Sequence, residues 1–216
     1  VFTNPSTANI SQGFFSAILE RSDLFGRVPG DVAILEMDEG HAAEITKRVS
    51  PNQSTILNVL EDQLDRFIDP AIVRDKLALV ASRTKGAVLL NADDQNTIMI
   101  GHGLGGSKSV TWFGIAESLI AATSHGLGSA PTYLATLPRP AVRAEITSVK
   151  GTAAVASLDG HQTSFSLPNR GLHYALDSIA ALQSAQQYLG SDFDLERASK
   201  VLDELPPVFA RGEIAQ

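Results

Sequence analysis

The first half of the chain alternates short apolar segments with amphipathic ones. Four apolar runs have the length of buried strands: residues 31–37, 54–60, 86–92 and 109–115. A strand that is covered on both faces needs no polar side, so such runs are typical of a parallel sheet. Helical spacing of apolar residues separates the runs, and Asp69 followed by Pro70 predicts a helix start. Strands and helices in this alternation indicate a sheet with helices on both faces.

Two further helices are predicted near the amino terminus. The segment 39–49 follows the first apolar run and suits a helix that returns across the sheet. A helix is also predicted before that run, with Asn9 or Ser11 as its cap. Its apolar residues recur at helical spacing: Ile10, Phe14, Phe15, Ile18 and Leu19.

The pattern changes after residue 140. Residues 141–168 alternate apolar and polar positions, and Lys-Gly and Asp-Gly pairs interrupt them, which predicts a small antiparallel β meander. Two amphipathic helices follow, at 171–189 and 195–205. Residues 120–140 have the weakest pattern and are predicted to form a long loop or insertion. The predicted fold class is α/β, a mainly parallel sheet with helices on both faces plus this meander.

Composition and charge exclude several classes of function. The 216 residues carry a net charge of −7, which argues against general affinity for nucleic acid. No apolar run reaches the roughly 18 residues of a transmembrane helix, so no transmembrane segment is predicted. The chain has no cysteine, which excludes disulfides, thiol catalysis and cysteine-bound zinc. This composition permits a reducing compartment, and we predict a cytoplasmic protein.

Polar clusters follow three of the predicted strands. Their members include Glu36 after the first strand, Asn58 and Asp62 after the second, and Asn91 and Asp94 after the third. In an open parallel sheet, ligands bind beyond the carboxyl ends of the strands. Oxygen ligands gathered there suit Mg²⁺, which favours carboxylates together with phosphate oxygens. If the strands are parallel, the three clusters lie along one edge of the sheet.

The alternative interpretation is that these acids cap the helices that follow. A carboxylate near a helix amino terminus contributes about 0.3–1 kcal/mol. We expect this role for Asp69, and for Asp93 or Asp94. For Glu36 we favour metal binding, because a glutamate inside an apolar strand is costly unless it has a partner.

Other candidate signals are weak. None of the five histidines has a partner at metal-ligand spacing, so each is interpreted as structural or exposed. The stretch GHGLGGSK, 101–108, differs from a phosphate-binding P-loop because a serine separates its last glycine from the lysine. We predict that it is a flexible loop.

Several stretches, in this order, resemble the central ATPase domain of Mur ligases. The strongest are AILEMDE, LNVLEDQLDRF and LLNADD, at 33–39, 57–67 and 89–94. Within that superfamily the DQLDR form is similar to the MurT-type subunit of lipid II isoglutaminyl synthase, where most Mur ligases carry DHLD. The opening TNPSTAN, the GLHYALDSIAAL stretch and the closing PVFARGE resemble further family motifs. The resemblance implies a central domain at 1–206 and the start of a C-terminal domain at 207–216.

The resemblance implies a role for each matching position. Glu36 would bind Mg²⁺ beside the ATP phosphates. A second group would shape the metal and acyl-phosphate site, with Gln63 in place of a histidine: Asn58, Asp62, Gln63 and Asp65. A third group would lie near the nucleotide: Asn91, Asp94, His173 and Asp177.

The chain also departs from the family pattern. Tyr174 and Asp177 replace two asparagines that contact adenine in the family, and the four cysteines of a MurT-type zinc ribbon are absent. No P-loop precedes the TNPSTAN stretch. We therefore expect a piece of a longer protein, inactive by itself.

The implied reaction is ATP-dependent activation of a carboxylate to an acyl phosphate, followed by attack of ammonia. In the MurT branch the substrate is lipid II, or a related muramyl peptide, and a GatD-type glutaminase supplies the ammonia. Two alternatives stay open at this point. One is an amino-acid-adding ligase of the muramyl-peptide or folylpolyglutamate type, and the other is a non-catalytic scaffold domain.

Overall fold

A computed structural model describes residues 1–4, 9–60, 69–123, 126–132 and 134–206. Its strands are β1 (Phe2–Thr3), β2 (Ala33–Ile34), β3 (Ser54–Ile56), β4 (Ala87–Asn91), β5 (Ser109–Ile115), β6 (Ala144–Lys150), β7 (Ala153–Leu158) and β8 (His161–Ser166). Its helices are α1 (Ser11–Arg21), α2 (Glu39–Ile45), α3 (Pro70–Arg83), α4 (Gln95–Gly103), α5 (Glu117–Ala121), α6 (Leu172–Leu189) and α7 (Leu195–Asp203).

Six of these strands form one sheet in the order β3-β4-β5-β6-β7-β8. The pairs from β3 to β6 are parallel, and those from β6 to β8 are antiparallel. The predicted meander therefore extends the parallel sheet directly. The fold class predicted from the sequence is confirmed.

The sheet separates two apolar layers. On one face, Leu89 and Phe113 pack with Ile179 of α6. On the other face, Leu90 packs with residues of α3 and α4. All five residues of β4 are buried, because this strand has neighbours on both sides and layers on both faces. That double burial is the reason why its sequence is continuously apolar from Ala87 to Leu90.

Several local predictions agree with the structure. Asp69 caps α3 by accepting a hydrogen bond from the Ala71 N–H, with Pro70 as the first helical residue. Strand β5 has the predicted bounds. In the described part of 122–140 the backbone is irregular, apart from an isolated bridge between Leu60 and Ser129.

The amino-terminal predictions were partly wrong. The run 31–37 forms a strand only at Ala33–Ile34, and β2 pairs with β1 in a separate two-stranded sheet. Both residues are exposed, Ile34 by 62%. The sequence predicted that three polar clusters share one edge of a single sheet, but only the clusters after β3 and β4 belong to the same sheet. Glu36 follows β2, which ends at Ile34, and so belongs to the other sheet.

Helix α1 also differs from its prediction. Neither Asn9 nor Ser11 caps it, because the N-cap residue is Ile10, which makes no side-chain capping bond. Phe15 and Leu19 are 53% and 77% exposed, and Ala17 is the buried residue that α1 contributes. Helical spacing identified the helix but not a buried face.

The stretch 101–108 is another correction, since 101–103 form the last turn of α4 and only the remainder is a loop. No helix in the described part of the chain is long and apolar enough to cross a membrane.

Two glycines of α4 provide a matched test of packing. A Cβ on Gly101 would lie 2.5 Å from the Trp112 ring and 2.9 Å from Leu90 Cδ1, whereas a Cβ on Gly103 would meet nothing within 4 Å. We expect Gly101→Ala to lower the free energy of unfolding by about 1–3 kcal/mol through overpacking. Gly103→Ala should leave it unchanged or raise it by up to about 1 kcal/mol. Urea denaturation measures both, and equal effects would contradict the packing described here.

Candidate functional site

Glu36 is held by its backbone and exposes its side chain. The Asn4 side chain donates through Nδ2 to the Glu36 carbonyl oxygen at 2.8 Å and accepts from the Glu36 N–H at 3.0 Å. Asn4 is buried and follows β1, which pairs with β2. Among the described residues, nothing hydrogen-bonds or ion-pairs with the Glu36 carboxylate. The arrangement fixes the main chain and presents a carboxylate to solvent.

Two contacts fix the helices around this segment. Asp38 caps α2 by accepting hydrogen bonds from the Gly40 and His41 N–H groups. The His41 Nδ1 lies 2.8 Å from the Ser11 hydroxyl oxygen, which joins α2 to α1. His41 therefore has a structural contact, in keeping with its interpretation from the sequence.

Asp94 links the end of β3 to the start of α4. Its Oδ2 accepts a hydrogen bond from the Val59 N–H at 2.6 Å, and its Oδ1 accepts from the Asn96 N–H at 2.8 Å. Asp94 is fully buried, and this burial raises the pKa of its carboxyl above the ordinary value, against the effect of those bonds. Asp94 is the N-cap of α4, as the capping interpretation expects. Asn58, half-buried, is the immediate neighbour of Val59.

Asp93 forms a second link, which joins the residues before α4 to strand β5 and to Arg139. Its Oδ2 accepts from the Ile115 N–H at 2.6 Å, and its Oδ1 accepts from Arg139 Nε at 2.8 Å. Arg139 also donates to the Ile115 carbonyl and to Glu145. Burial raises the pKa of Asp93, while the bonds from Ile115 and Arg139 lower it. Gly114 permits this approach, since a Cβ there would lie 2.5 Å from Asp93 Oδ2.

Gln95 and Asn96 complete a run of four residues that we call the polar hub (93–96). Gln95 forms two hydrogen bonds with the Leu137 backbone, one to its carbonyl and one from its N–H. Asn96 Nδ2 donates to the Ala130 carbonyl at 2.9 Å. The hub thus joins the segment after β3, strand β5 and three points of the loop predicted at 120–140: Ala130, Leu137 and Arg139. The sequence prediction missed Gln95, Asn96 and Arg139. A signal for the first two was available, because residues 93–96 are four polar residues in succession and one would be enough to cap the helix.

Asn91 is fully buried at the end of β4. Its Oδ1 accepts from the Asp93 N–H at 2.8 Å, which fixes the orientation of the amide. Its Nδ2 has no acceptor in the described part of the chain. A buried amide donor without a partner is uncommon in folded proteins. A ligand oxygen or ring nitrogen would satisfy it.

Helix α6 carries the remaining predicted residues. His173 and Asp177 are exposed in its first two turns, while Tyr174 is buried. The His173 and Tyr174 rings are in contact, with centroids 4.1 Å apart. Gly171 has φ of +134° and lies against the His173 ring, so a side chain there would be strained and crowded. The helix has no side-chain N-cap.

The structure brings together some predicted residues and not others. Asn58, Asn91 and Asp94 lie at the adjoining ends of β3 and β4. No hydrogen bond or ion pair within the described ranges joins Glu36 to Asn58 or Asn91. Asp62, Gln63 and Asp65 lie outside the described residues. Two surface cavities of about 280 and 330 Å³ are lined by none of the predicted site residues.

The donor set fits one metal class. No group of three or more histidines or carboxylates in the described part of the chain is placed to hold a metal. Mg²⁺ commonly binds proteins through only one or two carboxylates and takes its other ligands from water and phosphates. The exposed Glu36 carboxylate fits that mode of binding.

Comparison with known proteins supports a specific relationship. No family model matches the chain. The chain is 32% identical over 94 residues to the MurT subunit of lipid II isoglutaminyl synthase (glutamine-hydrolyzing) from Staphylococcus aureus strain COL. It is 34% identical over 98 residues to the MurT subunit from Streptococcus pneumoniae strain R6. These matches cover 44% and 43% of this chain, and about a fifth of each relative, 21% in both cases.

Solved structures of Mur ligases share the fold. MurF from Acinetobacter baumannii superposes with a TM-score of 0.73 at 17% identity, over 100% of this chain and 42% of MurF. A pseudomurein peptide ligase from Methanothermus fervidus gives 0.66 at 17% identity, over 95% of this chain and 44% of the ligase. MurF from Thermotoga maritima, in complex with ADP, gives 0.63 at 14% identity, over 96% and 42%. The predicted resemblance is confirmed: the chain is related in sequence to MurT-type subunits and has the Mur ligase fold.

Proposed function

We propose that the chain is part of an ATP-dependent ligase that amidates D-glutamate of lipid II to D-isoglutamine. The observation that carries the proposal is the 32–34% identity to MurT subunits of lipid II isoglutaminyl synthase. The exposed carboxylate of Glu36, on a backbone fixed by Asn4, is consistent with it. We expect the described fragment to be inactive without the rest of its protein.

The reaction would proceed in two steps. A carboxylate oxygen of the substrate attacks the γ-phosphorus of ATP, the bond from phosphorus to the ADP oxygen breaks, and an acyl phosphate forms. Ammonia then attacks the acyl carbon, inorganic phosphate leaves, and the surplus proton is lost to solvent. Phosphoryl transfer depends mainly on positioning and charge neutralisation, so the protein groups needed are oriented polar ones.

Glu36 would hold the metal, and Asn4 would keep Glu36 in place. When bound, Mg²⁺ neutralises charge on the phosphate oxygens of ATP. Asn58 would shape the acyl-phosphate site, together with Asp62, Gln63 and Asp65 as the resemblance implies. In these assignments the metal binds after β2, at Glu36, and the acyl phosphate binds after β3, at Asn58.

The nucleotide positions are proposed at α4 and α6. The unpaired Nδ2 of Asn91 supports a contact with an acceptor atom of the nucleotide. His173 and Asp177, which the resemblance places near the nucleotide, are both exposed on α6. Asp94 has both oxygens occupied by N–H groups, so we assign it an indirect role, through the backbone that it holds.

The ammonia would come from a partner. The names of the relatives include glutamine hydrolysis, and we propose a GatD-type glutaminase as the partner subunit, in the cytoplasm. One alternative is addition of an amino acid or peptide to a muramyl peptide, which the fold likeness to MurF and a pseudomurein peptide ligase favours. The two reactions differ only in the nucleophile.

The first test replaces Glu36 in the full-length gene product. With Mg-ATP, lipid II, glutamine and the candidate glutaminase, wild type should produce the mass decrease of carboxylate-to-amide conversion. Glu36→Ala should lower the rate at least about 100-fold, because a direct metal ligand is lost. Glu20→Ala, which removes an exposed carboxylate from α1, is the matched control and should retain the wild-type rate. A mass increase from amino-acid addition would replace the proposal with its alternative, and no product in either assay would favour a scaffold.

A second test addresses the support of Glu36. Asn4→Ala removes both hydrogen bonds to the Glu36 backbone, so we expect a rate loss of about 10–100-fold, with Glu36 itself unchanged. Raising the Mg²⁺ concentration should recover part of this loss. Asn52→Ala, at an exposed asparagine, serves as control. A wild-type rate and Mg²⁺ dependence in Asn4→Ala would show that the backbone contact has no part in metal binding.

A further inference from the structure

Both polar groups of the Val59 backbone are hydrogen-bonded, one to Asp94 of the polar hub and the other to Ala130. Its N–H donates to Asp94 Oδ2, and its carbonyl accepts from the Ala130 N–H at 2.7 Å. The Ala130 carbonyl in turn accepts from Asn96 Nδ2. Asp94 therefore acts directly and Asn96 through Ala130. We call Asp94, Asn96 and Ala130 the Val59 clamp.

The residues of the clamp, and Val59 itself, are buried. Asp94, Asn96, Val59 and Ala130 are each less than 5% exposed, so water does not compete for these hydrogen bonds. A buried polar group that loses its partner bears the full cost of its desolvation. Each member is therefore needed to satisfy the next, and movement of one peptide would leave the others unpaired.

The position of the clamp relates it to the proposed site. Val59 follows Asn58, and residues 57–60 continue β3 beyond its last ladder residue, Ile56. This segment lies outside the ladder of the main sheet, and its pairing is the isolated bridge between Leu60 and Ser129, to which the bond from the Ala130 N–H to the Val59 carbonyl belongs. The acids at 61–65 come next in the sequence.

We infer that Asn96 is a positioning residue of the proposed ligase, which fixes Asn58 through Ala130 and Val59. The inference rests on the proposed function for its catalytic meaning. Independently of that function, the amide of Asn96, 38 residues away in sequence, fixes the position of the main chain at Asn58. Misplacement of a catalytic segment by about 1 Å can cost roughly 100-fold in rate.

The adjacent Gln95 provides the matched control. The amide of Gln95 also hydrogen-bonds to the loop backbone, but at Leu137, which makes no hydrogen bond to Val59. Asn96→Ala and Gln95→Ala remove the same functional group from neighbouring positions of one helix. Asn96→Asp is a second variant, which keeps the shape of the side chain but replaces the N–H donor with a carboxyl group beside Asp94.

The first experiment uses this chain alone and measures amide hydrogen exchange by NMR. We expect Asn96→Ala and Asn96→Asp to accelerate exchange at Ala130 and Val59 at least about tenfold relative to Leu89 in β4. Gln95→Ala should accelerate exchange at Leu137 and leave Val59 unchanged. Unchanged exchange at Val59 and Ala130 in both Asn96 variants would overturn the inference.

The second experiment measures amidation by the full-length protein. Asn96→Ala should lower kcat about 10–100-fold with little change in the KM for ATP, because Asn58 is assigned to the acyl-phosphate site and not to the nucleotide. Gln95→Ala should keep kcat within about threefold of wild type. A wild type that amidates, with equal kcat in both variants, would overturn this inference alone. A wild type that fails to amidate would overturn the proposed function and the catalytic part of the inference with it.

Discussion

The described site depends on a buried carboxylate, Asp94, between the end of β3 and the start of α4. An isolated carboxylate in an apolar interior is strongly disfavoured, so it is tolerated only where hydrogen bonds compensate for its lost hydration. Here two N–H groups, from Val59 and Asn96, supply them. The pKa of Asp94 is nevertheless raised, because the cost of burial exceeds what these bonds offset. The same constraint ties an irregular segment after β3 to a regular helix.

A similar device recurs after β2. Asn4 is buried and spends its side chain on the backbone of Glu36, as Asp94 does on the backbone of Val59. In both places a polar residue inside the protein fixes the main chain beside a candidate functional residue. Glu36 is left exposed and Asn58 half-buried, so both side chains remain available. Such support by backbone contacts suits a reaction in which positioning matters more than proton transfer.

The elements that the sequence predicted best are those that pack against other helices and strands of the main sheet. Strands β4 and β5 were recognised because burial on both faces leaves a continuous apolar run, and α3 because Asp69 and Pro70 begin it. Strand β2 was overestimated, since an apolar run shows what a segment could bury but not whether a neighbouring strand covers it. Helix α1 failed in the same way, with Phe15 and Leu19 exposed.

The candidate site was predicted only in part, and the reason is sequence separation. Asp93 and Asp94 were noticed as acids, but their partners, Arg139 and Val59, lie 46 and 35 residues away. Residue types alone do not distinguish a carboxylate that binds a metal from one that binds a distant N–H. Gln95 and Asn96 were overlooked because amide side chains carry no charge and match no motif. Their role follows only from the loop that they contact.

The most direct measurement is hydrogen–deuterium exchange of the full-length protein with and without Mg-ATP. If the segments that follow β2, β3 and β4 bind the substrates of a ligase, protection on ligand binding should concentrate at 36–41, 57–60 and 91–97. Peptides around Arg143 and the turn at Asp159, on other elements of the sheet, should be unaffected. Protection confined to those peptides, or absent from all three strand ends, would contradict the account.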